Sequence, residues 1–463
     1  MKSASMPRMR RADFARRLRL FAVGAMLLCA PTLARAQTRP LTLENCVDLA
    51  LGRSPDLRAA DFDIASARET VTATRAGLLP AVSGALSLQG ISGQPVNNFS
   101  LLNEVDVENR GGLLTNQSRT GLLGYGSASV NYNLFKDGSI FGLNDAPAVE
   151  AAKAKRTELT WTKALKREQI ILVVATAFFD AATRAERLRL DTRRVALCEQ
   201  QLETIEEQVR LGLKLPADAA AARAQLLSSR QVLLLSRAQD TSARLHLAGL
   251  LDRKPEQTVV SSRWPTRPAL PPAEKFLADA AAKHPSVGVQ NAVIGQQFNA
   301  FRLARAQTYP QVTANSNFTQ GENLTGSAER HLYTGGVTLS VPIFDFGALA
   351  ASKRAAADKY QAEKIRLEKV RDDIRNSILD AYRALIVIQA QTAAFESDAA
   401  LAEKNYQVAR EQAQAGLIPP LATVAAELAF IDKQESLNDE RRLELQQFAL
   451  FQYATGGTWA WIQ

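Results

Sequence analysis

Four stretches of the chain alternate apolar and polar residues with period two. Val82, Gly84, Leu86 and Leu88 fall on one side against Ser83, Ala85, Ser87 and Gln89, and Ala128, Val130, Tyr132 and Leu134 oppose Ser127, Ser129, Asn131 and Asn133. Further along, Val312, Ala314, Ser316 and Phe318 oppose Thr313, Asn315, Asn317 and Thr319, and Val337, Leu339, Val341 and Ile343 oppose Thr338, Ser340 and Pro342. The pattern predicts four strands, each with an apolar face and a face of small uncharged polar groups. Such faces suit a transmembrane sheet with lipid on one side and water on the other. Four strands cannot close a barrel, which needs about eight, and an open edge in lipid leaves backbone groups unsatisfied. The barrel is therefore expected to be shared between several chains. Tyr132, Phe135, Tyr333, Phe344 and Phe346, near strand ends, are candidates for an interfacial aromatic girdle.

A second periodicity takes over after Gly347. The 68 residues before Gly416 contain no Gly or Pro, a helical run on the order of 100 Å long. In it Ile374, Ile378, Ala381, Leu385, Ile388, Thr392, Phe395, Ala399, Ala402, Tyr406, Ala409 and Ala413 step by alternating fours and threes, a heptad seam. Residues 204 positions earlier follow the same register from Ile170 to Val209, with Cys198 as seam packing and Arg184 and Asp191 departing from it. A further helix follows each turn, Ala217 to Leu251 and Leu421 to Ala454, so two antiparallel coiled-coil hairpins are expected. Their turns are Gly212-Leu213-Lys214-Leu215-Pro216 and Gly416-Leu417-Ile418-Pro419-Pro420, where glycine then proline is ordinary helix-stop chemistry. The exposed Leu213 and Leu417 are candidates for a docking role beyond that.

The chain repeats itself. Ser54-Pro55 and Leu79-Pro80 recur as His284-Pro285 and Tyr309-Pro310 at an offset of 230, Leu134 to Gly138 matches Ile343 to Gly347 at 209, and Leu211-Gly212-Leu213 matches Ala415-Gly416-Leu417 at 204. The first half thus carries 21 extra residues between Pro80 and Phe135 and five more before Gly212. The predicted organisation is a helix, strand, strand, long helix, helix unit over 37–262, a proline-rich connector over 263–272, and a second such unit over 273–463. The fold class is mainly α with membrane β.

Composition changes the picture at the N-terminus. The 463 residues exceed one compact core, and 46% hydrophobic with 22% charged residues excludes a disordered polyelectrolyte. The net charge of +9 invites a nucleic-acid reading, but residues 1–36 hold Lys2, Arg8, Arg10, Arg11, Arg16, Arg17, Arg19 and Arg35 against Asp13 alone. Those residues continue into an apolar run, Leu18 to Leu33, and Ala34-Arg35-Ala36, so 1–36 reads as a cleaved secretory signal. The remaining chain is nearly balanced, and no nucleic-acid partner is expected. Leu28 before Cys29 argues against lipidation there, and nothing requires Cys46 and Cys198 to pair.

No catalytic, metal or cofactor site is legible. His246, His284 and His331 lie far apart without carboxylates at ligand spacing, and neither GxxxxGK[ST] nor G-x-S-x-G occurs. No enzyme is expected.

The residues that remain carry a resemblance. Leu41 to Leu51 followed by Ser54-Pro55-Asp56-Leu57, then Ala76-Gly77-Leu78-Leu79-Pro80, Gly212-Leu213 with Asp218 and Ala222 to Leu226, and Phe448 to Trp459 resemble, in order, the outer membrane efflux protein family, the TolC-like channels. The resemblance implies a homotrimer whose four strands per chain build one barrel in the outer membrane of a Gram-negative cell, continued by a periplasmic helical tunnel. It also implies a periplasmic adaptor (membrane fusion protein) docked on the hairpin tips at Gly212, Leu213, Gly416 and Leu417, and an inner-membrane pump. Family members often carry carboxylates past the second tip, where this chain has Ala422 and Ala425, so only Asp218 carries over as a candidate gate contact. A periplasmic adaptor, which also uses long hairpins, is the alternative reading.

Overall fold

The computed structural model describes residues 41–91, 121–144, 146–255, 283–323, 329–457. The expected signal segment, the connector, most of the 90–125 connection and the end of the chain beyond 457 lie outside these residues. The elements are helices α1 (Leu43–Arg53) and α2 (Pro55–Ala76), strands β1 (Ala81–Ile91), β2 (Gly121–Lys136) and β3 (Ser139–Ile140), and helices α3 (Pro147–Arg210), α4 (Pro216–Leu250) and α5 (Pro285–Ala306). Strands β4 (Gln311–Asn323) and β5 (Glu329–Ser340) follow, then helices α6 (Ala348–Gln414) and α7 (Pro420–Ala454).

Local chemistry sets the boundaries. What reads in the sequence as one opening helix breaks at Ser54, whose hydroxyl accepts from the Leu57 backbone N–H at 3.3 Å while Pro55 takes the first helical position. Gln311 and Ala81 begin strands directly after Pro310 and Pro80, which cannot continue a helix. Over 67 residues α6 meets no such breaker.

The strands form one antiparallel sheet in the order β1-β2-β4-β5, with the two-residue β3 pairing on β2. Its register joins the predicted apolar positions across the sheet: Val82 faces Val130, Ala128 faces Phe318, Ala314 faces Val337, and Val312 faces Leu339. The polar positions join likewise, Ser83 with Ser129, Ser129 with Asn317, and Asn317 with Thr334. The Ser83 and Ser129 hydroxyls lie 2.8 Å apart. A bulge between Asn133 and Phe135 lets the partner strand advance only from Thr313 to Val312. Among the described residues the edges β1 and β5 have no strand partner on their outer sides.

Helices form a matching open layer. Nearest the sheet the packing order is α2-α3-α5-α6, and farther away it is α4-α3-α7-α6, with α3 and α6 running through both tiers. Every predicted seam position on α3 and α6 is buried or half-buried. The main core sits where the tiers meet: Cys46 and Val47 of α1 join one buried cluster with Phe178 and Phe179 of α3, Leu247 of α4, Ile378 and Leu385 of α6, and Ala449 and Phe451 of α7. No described helix is long and apolar enough to cross a membrane.

Candidate functional site

The two hairpin turns share one backbone solution. After α3, the Gly212 N–H donates to Val209 O at 3.0 Å and the Leu213 N–H to Gln208 O at 2.8 Å; after α6, Gly416 donates to Ala413 O at 3.1 Å and Leu417 to Gln412 O at 2.8 Å. These paired bonds are Schellman caps, which place the glycine in the left-handed region, here φ 73° and 75°. A Cβ on either glycine would meet no atom within 4 Å, so the φ alone demands glycine. Both turns hold a leucine in solvent, Leu213 and Leu417, each 74% exposed. The two turns lie at the same end of the hairpins, with Leu421 of α7 packed on the cluster of Ile205, Ala219 and Ala222 beneath the first turn.

Asp218 accepts from the Leu215 backbone N–H at 3.0 Å, capping α4. Within one chain its carboxylate thus serves its own helix. Ala422 and Ala425 leave the start of α7 without an acid. The next polar contacts are a tier of cross-helix bonds: Arg223 with Glu206 at 2.6 Å, Arg230 with Glu199 at 2.8 Å, and Arg193 with Glu427 at 2.7 Å. Tyr406 of α6 stacks on Phe430 of α7 with centroids 6.2 Å apart, and burial together with the nearby Glu427 carboxylate pushes its phenol above the usual range.

Sequence reasoning passed over the departure at Asp191. This carboxylate is fully buried and accepts from the Ser236 hydroxyl of α4, while its other oxygen has no hydrogen-bond partner. Arg194 lies 3.7 Å from that oxygen and extends to α7, binding Asp432 at 2.6 Å and Glu435 at 2.7 Å. Burial pushes the Glu435 carboxyl up, Arg194 opposes this, and neighbouring Asp191 adds to the rise. The only signal was a charge on an apolar stripe, with Ser236 45 residues beyond Asp191 and Glu435 241 residues beyond Arg194.

Among the described residues, Cys46 and Cys198 are free and buried. Burial pushes the Cys46 thiol up to about 12, and Cys198 lies with its Sγ 3.3 Å from the Ser229 hydroxyl, as seam packing. His284 uses Nδ1 to accept from the Ser286 N–H at 3.1 Å, and burial lowers its pKa. Among the described residues no three potential ligands are grouped to hold a metal.

A sheet with lipid-compatible alternation, joined to two long hairpins, is the architecture of a membrane channel protein with a helical extension. The chain belongs to the outer membrane efflux protein family, which matches residues 46–253 and 276–457. It is 23% identical over 431 residues to the pyoverdine export outer membrane protein OpmQ of Pseudomonas aeruginosa, covering 90% of this chain and 85% of that protein. It is 22% identical over 346 residues to the cobalt-zinc-cadmium resistance protein CzcC of Cupriavidus metallidurans, covering 73% of each. The CmeC outer membrane channel of Campylobacter jejuni superposes with a TM-score of 0.71 at 16% identity, over 90% of this chain and 85% of that one. The protein is thus a TolC-like channel of the outer membrane, in a family of channels and not enzymes, and the adaptor alternative is set aside.

Proposed function

We propose that three copies of this chain form a passive exit duct, the outer-membrane component of a tripartite efflux or type I secretion system. One observation carries this reading: the sheet and the helical layer are open at both edges. Among the described residues strands β1 and β5 lack partners on one side, and the outer helices α4 and α6 expose Leu227, Leu234, Ile386, Val387 and Leu401 along their lengths. A second copy placed edge to edge satisfies the strand ladder and covers these side chains together. The 11, 13 and 12 residues of β1, β4 and β5 suit tilted membrane strands. Three chains would give about twelve long strands, enough to enclose a lumen.

Duplication supports the same design. Asp137-Gly138 and Phe141-Gly142 ahead of α3, and Phe346-Gly347 ahead of α6, all take left-handed conformations.

In this reading the tips at Gly212, Leu213, Gly416 and Leu417 receive the adaptor, Asp218 contributes to the periplasmic gate, and an inner-membrane pump supplies the energy. The relatives export or resist chemically different substances, so cargo choice is assigned to the pump. The test is purification from outer membranes in detergent: trimers with heat-sensitive mobility and ion conductance in planar bilayers are expected. A monomer soluble without detergent refutes it.

A further inference from the structure

The helix ends that meet the sheet carry an arrangement the duct reading leaves unused. Arg75 near the end of α2 and Arg305 near the end of α5 each lie six residues before a strand. Lys353 and Arg354 lie in the second turn of α6, and Arg156 in the third turn of α3. At about 1.5 Å per residue, all four helices carry a cation within roughly 14 Å of the helix end that meets the sheet. Arg156, Arg305, Lys353 and Arg354 are exposed, and none forms an ion pair among the described residues. In the hairpins Arg189, Arg193, Arg210, Arg223 and Arg230 each meet a carboxylate, whereas Arg237, Lys404 and Arg410 form no ion pair among the described residues and are scattered along the helices.

Between these cations and the sheet lies an apolar band. Leu79, Leu143, Ile343, Phe344 and Phe346 are exposed there, Ile343 at 94% and Phe346 at 93%. Phe346 holds a left-handed backbone, φ 55°, which a bulky side chain rarely adopts, and its ring meets Phe344 at a centroid distance of 4.7 Å. An apolar band followed at once by unpaired cations matches the order of chemistry at a lipid surface, acyl chain and then phosphate.

We propose that Arg156, Arg305, Lys353 and Arg354 form a basic collar that binds the phosphate groups of anionic phospholipid in the periplasmic leaflet of the outer membrane, fixing how deeply the barrel sits. This rests on the membrane reading of the sheet. Each cation at an anionic surface strengthens the attraction about fivefold.

The test is native mass spectrometry of the full assembly purified in detergent, incubated with phosphatidylglycerol or with phosphatidylcholine, alongside a variant carrying Arg156→Glu, Arg305→Glu, Lys353→Glu and Arg354→Glu. Preferential retention of phosphatidylglycerol, reduced at least ~10-fold in the variant, is expected. A control with Arg237→Glu and Lys404→Glu, exposed on the hairpins far from the sheet, should retain lipid as the parent does. Equal retention of the two lipids, unchanged retention in the collar variant, or displacement of the lipid by equimolar inorganic phosphate overturns the proposal. Heat-sensitive mobility and conductance are scored on the same preparations. Conductance without lipid preference fails the collar alone, whereas absent conductance in the parent fails the membrane reading.

Discussion

Replacing Arg194 by Met tests whether the charged node between the hairpins holds them together. The Arg194 side chain is 16% exposed and serves Glu435, 14% exposed, and Asp432, 60% exposed, with the fully buried Asp191 beside it. Loss of the exposed Asp432 contact matters little, about 0–1 kcal/mol. Stranding Asp191 and Glu435 without their cation costs about 3–5 kcal/mol, because buried carboxylates have no water to turn to. At 1.4 kcal/mol per decade, local opening becomes roughly 10² to 4 × 10³ times more frequent. Amide hydrogen exchange reads this directly, and residues 187–198 of α3 and 428–439 of α7 should lose protection by that factor while the core around Phe179 keeps its own. Because the folded Glu435 carboxyl is raised above its ordinary range, protonation favours the closed node, and its stability falls as pH rises through that raised value. Removing Arg194 removes the contribution that lowers it, so the deficit should be larger at pH 8 than at pH 5 after correction for intrinsic exchange. The double variant Arg194→Met with Glu435→Gln should recover most of the protection. Unchanged exchange in the single variant, or a double variant as open as the single one, refutes the reasoning.

Three other outcomes are expected. Leu86→Arg places a charge on the apolar sheet face and should cost about 2–4 kcal/mol, seen as loss of heat-sensitive trimers from outer-membrane fractions, whereas Ser87→Arg on the polar face should assemble; equal yields contradict the assignment of faces. Leu213→Asp together with Leu417→Asp should abolish crosslinking to the adaptor while trimers persist, and undiminished crosslinking removes the docking role. With its pKa near 12, Cys46 holds about one thiolate in 10⁴ at pH 8, so in a Cys198→Ala background a maleimide should label the native protein ~1000-fold more slowly than the urea-unfolded one.

What was legible in the sequence was whatever repeats with a short period. The pairing of Val82 with Val130 and of Ala314 with Val337 follows from alternation, because a one-residue slip would turn every side chain to the wrong face. The seam through Ile378, Leu385 and Ala399 and the glycines at 212 and 416 were legible for the same reason: each is a local signal of helix packing or helix termination. The β3 excursion was not, since two residues carry no periodicity. Nor was the break at Ser54, where the helical pattern resumes at once. Asp191 and Arg194 escaped because their meaning lies in Ser236 and Glu435, on helices that only the folded layer brings alongside. Of the candidate site, the tips were visible as turns, while the capping contact of Asp218 needed the backbone geometry.

The two unpaired edges have a consequence for genetics. In the proposed trimer every chain supplies both a β1 edge and a β5 edge, so one chain with a damaged edge leaves a gap that its two sound neighbours cannot close. In a cell making damaged and sound copies equally, on the order of one assembly in eight would be wholly sound. Mutations at β1 or β5 should therefore act dominantly.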